Sequence, residues 1–125
     1  MVEDDAELVE LLRFNLKKAG FAVGTASDGI EAIKKARSLL PDLVLLDLML
    51  PELDGFAVCE VLRRDPNLAH TPVIMLTALS SQLARLAGME AGANEYMVKP
   101  FSPKQLISRI ETLLPTASAA VPTQV

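Results

Sequence analysis

The sequence predicts an α/β fold in which a doubly wound, five-stranded parallel sheet carries helices on both faces. Short apolar runs, such as residues 43–46 and 73–76, alternate with segments whose apolar residues recur at helical spacing. The run at 43–46 is apolar at every position, which indicates a strand buried on both faces. Repeated alternation of strand and helix requires parallel strands joined by right-handed crossovers.

Composition limits the class of protein. A chain of 125 residues with 50% hydrophobic content is expected to form one domain. Its net charge of −4 argues against direct nucleic-acid binding by this domain, because phosphate contacts need clustered Lys and Arg. The single cysteine, Cys59, cannot form an internal disulfide, and the sequence has neither a membrane-length apolar run nor a signal peptide. We therefore expect a cytoplasmic protein that does not enter a membrane.

The first third of the chain predicts two strands and two helices. Only Met1 and Val2 precede the acids Glu3 and Asp4, so the first strand is predicted to be truncated. A helix with leucines at helical spacing follows and ends at Ala19-Gly20. Residues 21–26 are predicted to form a strand. The next helix is predicted to begin at Ser27-Asp28-Gly29 and to end at Pro41.

The rest of the chain predicts three further strand and helix pairs. The strands are residues 43–46, 73–76 and 95–98, and the helices follow Asp54-Gly55, Ser80-Ser81-Gln82 and Ser102-Pro103. The middle one of these helices carries Leu83, Leu86 and Ala87. Residues 115–125 are rich in Ala, Ser, Thr, Pro and Val and show no periodicity. We expect a domain at residues 1–114 and a flexible tail or linker at 115–125, without secondary structure.

Polar residues end four of the predicted strands: Glu3, Asp4, Asp47, Thr77 and Lys99. Asp47 alone would more simply be a turn residue. The carboxyl ends of parallel strands lie at one edge of a sheet, however, so these five side chains should share a pocket. Three neighbouring carboxylates repel unless a cation neutralises them, and oxygen ligands without His or Cys favour Mg²⁺. With a lysine nearby, phosphate is the expected partner, and Asp47 can be a nucleophile that forms an aspartyl phosphate.

The same residues carry a family resemblance. Glu3-Asp4, residues 47–51, Asp54-Gly55, Thr77-Ala78 and residues 99–101 have the order and spacing of a two-component response-regulator receiver domain, which the chain resembles. The resemblance implies the strand order 2-1-3-4-5.

The resemblance also implies a role for each site residue. Asp47 is then the phosphoacceptor, and Mg²⁺ is held by Glu3, Asp4, Asp47 and the backbone carbonyl of Met49. Thr77 corresponds to the switch hydroxyl, Lys99 to the cation that pairs with the phosphate, and Tyr96 to the switch aromatic residue. The Lys99–Pro100 peptide bond is expected to be cis.

The partners that the resemblance implies are a histidine kinase or a histidine phosphotransfer protein as phosphodonor, and an output domain or downstream protein. A second copy of the chain is a further partner of this kind, in a homodimer that depends on phosphorylation. The domain is then a signalling module and not an enzyme in the usual sense, although it catalyses its own phosphorylation. Autodephosphorylation should be slow, because the side chains of Met49 and Leu79 are apolar and cannot orient the attacking water.

Two other functions share part of this residue pattern. A phosphatase of the haloacid dehalogenase type also uses a nucleophilic Asp, but it needs a second Asp two residues later, where this chain has Met49. An inert receiver-like module that serves only protein contacts would not need Asp47, Thr77 and Lys99 together. Phosphorylation by acetyl phosphate with Mg²⁺ distinguishes the inert module from an active receiver.

Overall fold

The computed structural model describes residues 1, 6–48, 54–114 and 123–124. Within them the chain forms the five predicted helices, namely α1 (Ala6–Lys18), α2 (Gly29–Leu39), α3 (Gly55–Arg64), α4 (Gln82–Ala91) and α5 (Pro103–Leu113). The side chains that cap α2 to α5 each accept a hydrogen bond from a backbone N–H group of the first helical turn, and they are Asp28, Asp54, Ser81 and Ser102. These caps replace the partners that the first turn of a helix lacks.

The strands of the described residues are β1 (Ala22–Val23), β2 (Val44–Asp47), β3 (Val73–Thr77), β4 (Glu95–Val98) and β5 (Thr123–Gln124). The order β2-β3-β4 forms a parallel sheet, which confirms the predicted neighbours among the third, fourth and fifth strands. All five residues of β3 are buried, as a central strand covered on both faces requires.

Helices cover both faces of this sheet. On one face, α1 and α5 pack against alternate strand residues through Leu12, Leu16, Leu106 and Ile110. On the other face the helices α2, α3 and α4 supply the buried residues Ala32, Ala36, Val58, Cys59, Leu62 and Ala91. The two clusters are the two cores of a doubly wound α/β fold, as the sequence predicts.

The strands β1 and β5 pair with each other in a separate two-stranded sheet. Ala22 is opposite Thr123 and Val23 is opposite Gln124, in parallel. The composition of residues 115–125 predicts no secondary structure, so β5 differs from that expectation. A pair of this length is held by backbone hydrogen bonds, which leave no side-chain period to detect. The division of the chain at residue 114 stays a prediction.

Met1 lies beside the continuation of β1. Its ammonium group donates a hydrogen bond to the carbonyl oxygen of Gly24 at 2.8 Å, and its carbonyl oxygen accepts one from the N–H group of Ala26 at 3.0 Å. These two bonds have the pattern of a parallel ladder. Val2, the other residue of the predicted first strand, lies outside the described residues.

Candidate functional site

Asp47 ends β2 at the carboxyl edge of the sheet. It is only 3% exposed, which is unusual for a carboxylate unless it has a partner. Its Oδ2 accepts a hydrogen bond from the ammonium group of Lys99 at 3.0 Å. Lys99 follows β4, so its side chain spans the end of the intervening strand β3 to reach the acid. The structure thus brings together the predicted nucleophile and the predicted cation.

Thr77 ends β3, between the strands that carry Asp47 and Lys99. It is fully buried, and its Oγ1 accepts a hydrogen bond from the N–H group of Leu79 at 3.2 Å. Its carbonyl oxygen accepts one from the N–H group of Lys99 at 2.7 Å, which holds the start of the following loop at the sheet edge. The peptide bond between Lys99 and Pro100 is cis.

The start of α3 fixes the backbone beside Asp47. Asp54 caps this helix, since its carboxylate accepts a hydrogen bond from the N–H group of Ala57 at 2.9 Å. The next residue, Gly55, donates its N–H group to the carbonyl oxygen of Leu48 at 3.1 Å. A Cβ atom at Gly55 would lie 2.5 Å from the carbonyl oxygen of Asp47, so a side chain here would displace the nucleophile's backbone. In the sequence this Asp-Gly pair stands out only as a motif, and its packing role is not predicted.

Tyr96 lies on β4 and is 5% exposed. Its hydroxyl group donates a hydrogen bond to the carbonyl oxygen of Leu79 at 2.7 Å. Burial raises the pKa of the Tyr96 phenol, and the guanidinium group of Arg85 opposes this effect by lowering it. Leu79 is therefore bonded to Thr77 through its N–H group and to Tyr96 through its carbonyl group.

The remaining predicted site residues are Glu3, Asp4 and Met49, and all of them lie outside the described residues. In the part of the chain that the structure describes, no group of three or more His, Cys, Asp or Glu residues could hold a metal ion. Of the four predicted magnesium ligands, only Asp47 is described. Its oxygen atoms at a sheet edge beside a lysine fit the chemistry of Mg²⁺ bound together with phosphate.

Cys59 takes no part in this site. It is buried on α3, and burial raises the pKa of its thiol, so it behaves as a small core residue.

No helix among the described residues has the length and apolar character that crossing a membrane requires.

Comparison with known proteins decides the family. Residues 1–111 match the family model of the response regulator receiver domain. The chain belongs to this family. It is a receiver domain of two-component response regulators, whose function is to accept a phosphoryl group.

The curated relatives of this receiver domain include two transcriptional regulators and a DNA-binding response regulator. It is 44% identical over 122 residues to the alkaline phosphatase synthesis transcriptional regulatory protein PhoP of Bacillus subtilis, covering 98% of this chain and 50% of that protein. It is 44% identical over 114 residues to the DNA-binding dual master transcriptional regulator RpaA of Synechocystis, covering 91% and 47%. The DNA-binding response regulator MtrA of Mycobacterium tuberculosis is 45% identical over 114 residues, covering 91% and 49%. The chain thus spans about half the length of these relatives.

Solved structures share the receiver fold. A putative response regulator from Chloroflexus aurantiacus superposes with a TM-score of 0.86 at 39% identity, covering 91% of this chain and 93% of that one. The BeF3-activated N-terminal receiver domain of Klebsiella pneumoniae RstA gives a TM-score of 0.84 at 35% identity, covering 90% and 94%. These matches confirm the α/β receiver fold that the sequence predicts.

Proposed function

We propose that this receiver domain accepts the phosphoryl group on the carboxylate of Asp47. The observation that carries the assignment is the hydrogen bond between Lys99 and Asp47, because it sets a nucleophile and a cation together at the edge where α/β sheets bind ligands. The donor is a histidine kinase or a histidine phosphotransfer protein. Asp47 itself is buried, and the partly exposed Lys99 side chain marks the edge from which a donor reaches it.

The transfer follows from the side chains at this edge. An oxygen of Asp47 attacks the phosphorus atom, an O–P bond forms, and the P–N bond to the donor histidine breaks, leaving the donor to take up a proton. Lys99 neutralises charge on the incoming phosphoryl oxygens, and the Thr77 hydroxyl can donate a hydrogen bond to one of them. Mg²⁺, held by Glu3, Asp4, Asp47 and the Met49 carbonyl, would supply the charge that brings carboxylates and phosphate together.

Phosphorylation then changes the packing behind the site. The phosphoryl group adds close to two negative charges and strong acceptor oxygens, which draw the Thr77 hydroxyl toward Asp47. Because Leu79 is bonded to both Thr77 and Tyr96, a shift of the threonine is transmitted to the tyrosine. The result is a population shift that alters the surface formed by α4 and β4.

The output of this switch is gene regulation through a DNA-binding partner. The relatives PhoP and RpaA are transcriptional regulators and MtrA is a DNA-binding response regulator, and each is about twice as long as the matched region. The net charge of −4 places DNA contacts outside this domain, in an output domain of the same protein or in a downstream protein. A homodimer that forms on phosphorylation would couple the switched surface to that output.

The assignment is tested with two matched variants, one at the end of β2 and one just before its start. Asp47→Asn removes the nucleophile, whereas Asp42→Asn makes the same change at an exposed position just before β2. Each purified protein is incubated with acetyl phosphate and Mg²⁺, and also with phosphoramidate, whose P–N bond imitates the histidine donor. Intact mass should show one added phosphoryl group, labile to hydroxylamine, in the wild type and in Asp42→Asn. Full labelling of Asp47→Asn would show that the acceptor is elsewhere.

A further inference from the structure

Tyr96 is enclosed by α4 as well as by its own strand. The Cζ atom of Arg85 lies over the phenol ring, 5.2 Å from its centroid. A Cβ atom at Gly88 would lie 3.0 Å from Cδ2 of the same ring, so the helix approaches the tyrosine as closely as a glycine allows. The hydroxyl group completes the enclosure through its hydrogen bond to Leu79. We call this arrangement the inward ring.

The partners of the inward ring differ in exposure. Gly88 is buried, whereas Arg85 is an exposed residue of α4. A planar guanidinium over an aromatic face is attracted by the negative charge of the π-system, and it also covers apolar ring surface. An exposed arginine can thus favour the inward ring without being part of the core. Two other cations, Lys104 and Arg109, line the groove between β4 and α5 together with Tyr96.

We propose that Arg85 is a positioning residue for Tyr96, and that its stacking holds the ring inward before phosphorylation. This inference rests on the proposed function, because the inward ring is bonded through Leu79 to Thr77. A cation over an aromatic ring at an exposed site shifts such an equilibrium by about two- to fivefold. Arg85 therefore sets how readily the switch responds to a phosphoryl group.

The sequence offers a clean probe, since Tyr96 is the only tyrosine and the chain has no tryptophan. Incorporation of 3-fluorotyrosine places a single fluorine atom on this ring. Fluorine NMR then reports the populations of the inward ring and of the outward ring, which is a ring that has left this enclosure. Arg85→Gln should raise the outward-to-inward ratio about two- to fivefold. Arg85→Lys should keep part of the effect, because the ammonium retains the charge but loses the planar contact.

The matched control is Arg109→Gln, which removes the same charge from another exposed arginine, one that lines the groove beside Tyr96 and pairs with Glu95. The control should leave the tyrosine populations as in the wild type. An unchanged ratio in Arg85→Gln, or an equal change in both variants, would overturn the proposal.

A second measurement links the ring to the site. A shift of Thr77 toward a phosphoryl group leaves space that the inward ring fills, so the phosphoryl analogue beryllofluoride, added with Mg²⁺, should favour the inward ring. Half of its full effect on the ring populations should need about two- to fivefold more beryllofluoride in Arg85→Gln than in Arg109→Gln. Equal concentrations in the two variants would refute a role of Arg85 in the switch. If no form of the protein bound beryllofluoride, the proposed function would fail, while the populations measured without it would still decide whether Arg85 positions the ring.

Discussion

The ammonium group of Lys99 lies 3.0 Å from Oδ2 of Asp47, although the two residues are far apart in the sequence and their strands are separated by β3. The contact exists because Asp47 ends β2 and Lys99 follows the parallel strand β4 at the same sheet edge. The side chain of Asp47 is 5% exposed and that of Lys99 is 24% exposed. A pair so little exposed is screened less by salt than a surface pair, so its charges act strongly on a phosphoryl group.

Replacement of Lys99 tests the part that this charge plays in the transfer. Lys99→Met should slow acyl phosphate formation from acetyl phosphate roughly 100-fold, because a preorganised group that stabilises transition-state charge is lost. Lys99→Arg keeps the charge and should retain more of the rate. The measurement is the initial rate of labelling, followed by intact mass. A Lys99→Met protein that is labelled at the wild-type rate would contradict this role.

Alanine substitutions at two buried glycines, Gly55 and Gly88, should lower the free energy of unfolding by unequal amounts. A Cβ at Gly55 meets backbone, the carbonyl oxygen of Asp47 at 2.5 Å, and backbone cannot move without distorting the site. A Cβ at Gly88 meets only side chains, the sulfur of Met75 at 2.8 Å and Cδ2 of Tyr96 at 3.0 Å, which can shift more readily than backbone, and alanine improves helix propensity by about 1 kcal/mol. Gly55→Ala should thus lower the free energy of unfolding by about 1–3 kcal/mol, and Gly88→Ala by less.

Urea denaturation of both variants provides the comparison. Gly55→Ala should also slow phosphorylation of the folded protein, since it shifts the backbone of the nucleophile. Equal losses of stability in the two variants would mean that the identity of the contacted atom does not control the cost.

The sequence predicted where Asp47 and Thr77 lie on the sheet better than it predicted which face of α4 is buried. Asp47 and Thr77 end uninterrupted buried runs, and this signal is strong because parallel strands bring both residues to one sheet edge together with Lys99. In α4 the apolar residues that predict the helix do not face the core: Leu83 is 80% and Leu86 50% exposed. The buried residues are Gly88 and Ala91, whose small size lets the helix approach the sheet.

Some features could not have been predicted from patterns of apolar residues. The hydrogen bond from Tyr96 to Leu79 depends on where a loop carbonyl lies, and the pairing of β1 with β5 joins two segments that are far apart in the sequence. The stacking of Arg85 on Tyr96 joins two elements, so no spacing within either one reveals it. The predicted roles of Glu3, Asp4 and Met49 stay predictions, as these residues lie outside the described part of the chain.

Arg63 should be important for stability and not for phosphorylation. Its guanidinium group donates hydrogen bonds to the carbonyl oxygens of Thr71, at 2.7 Å, and Gly92, at 2.7 and 3.0 Å, and to the Asn94 side chain at 3.0 Å. It thereby joins the loops that precede β3 and β4, at the edge of the sheet opposite the site. Arg63→Ala should lower the free energy of unfolding by about 3 kcal/mol, because several carbonyl groups lose a charged donor.

The neighbouring residue gives the control for this prediction. Arg64 is exposed, and Arg64→Ala should change stability by no more than about 0.5 kcal/mol. Both proteins should be phosphorylated by acetyl phosphate at the wild-type rate under conditions in which they are folded. A slow rate in folded Arg63→Ala would show that the two ends of the sheet are coupled.

The lifetime of the phosphorylated state is set by water. Hydrolysis requires a water molecule in line with the phosphorus atom, and polar side chains near the phosphoryl group can orient it. The two positions that resemblance places over the phosphorus are Met49 and Leu79, both apolar. Leu79 is half-buried and packs against the core cluster on the side of α2, α3 and α4. An apolar cover of this kind excludes water and offers it no hydrogen bond, so the acyl phosphate should be long-lived.

The expectation is checked by following the loss of phosphate from the purified protein with Mg²⁺ and without a kinase. The double variant Met49→Asn, Leu79→Glu supplies polar groups at both positions and should lose its phosphate faster, by about 10-fold or more if water orientation limits the rate. The single variant Leu79→Met keeps an apolar side chain of similar size and should decay like the wild type. A wild-type decay as fast as that of the double variant would mean that these two residues do not control the lifetime. Slow decay would suit a domain that sustains gene expression, because the signal would then outlast the contact with the phosphodonor.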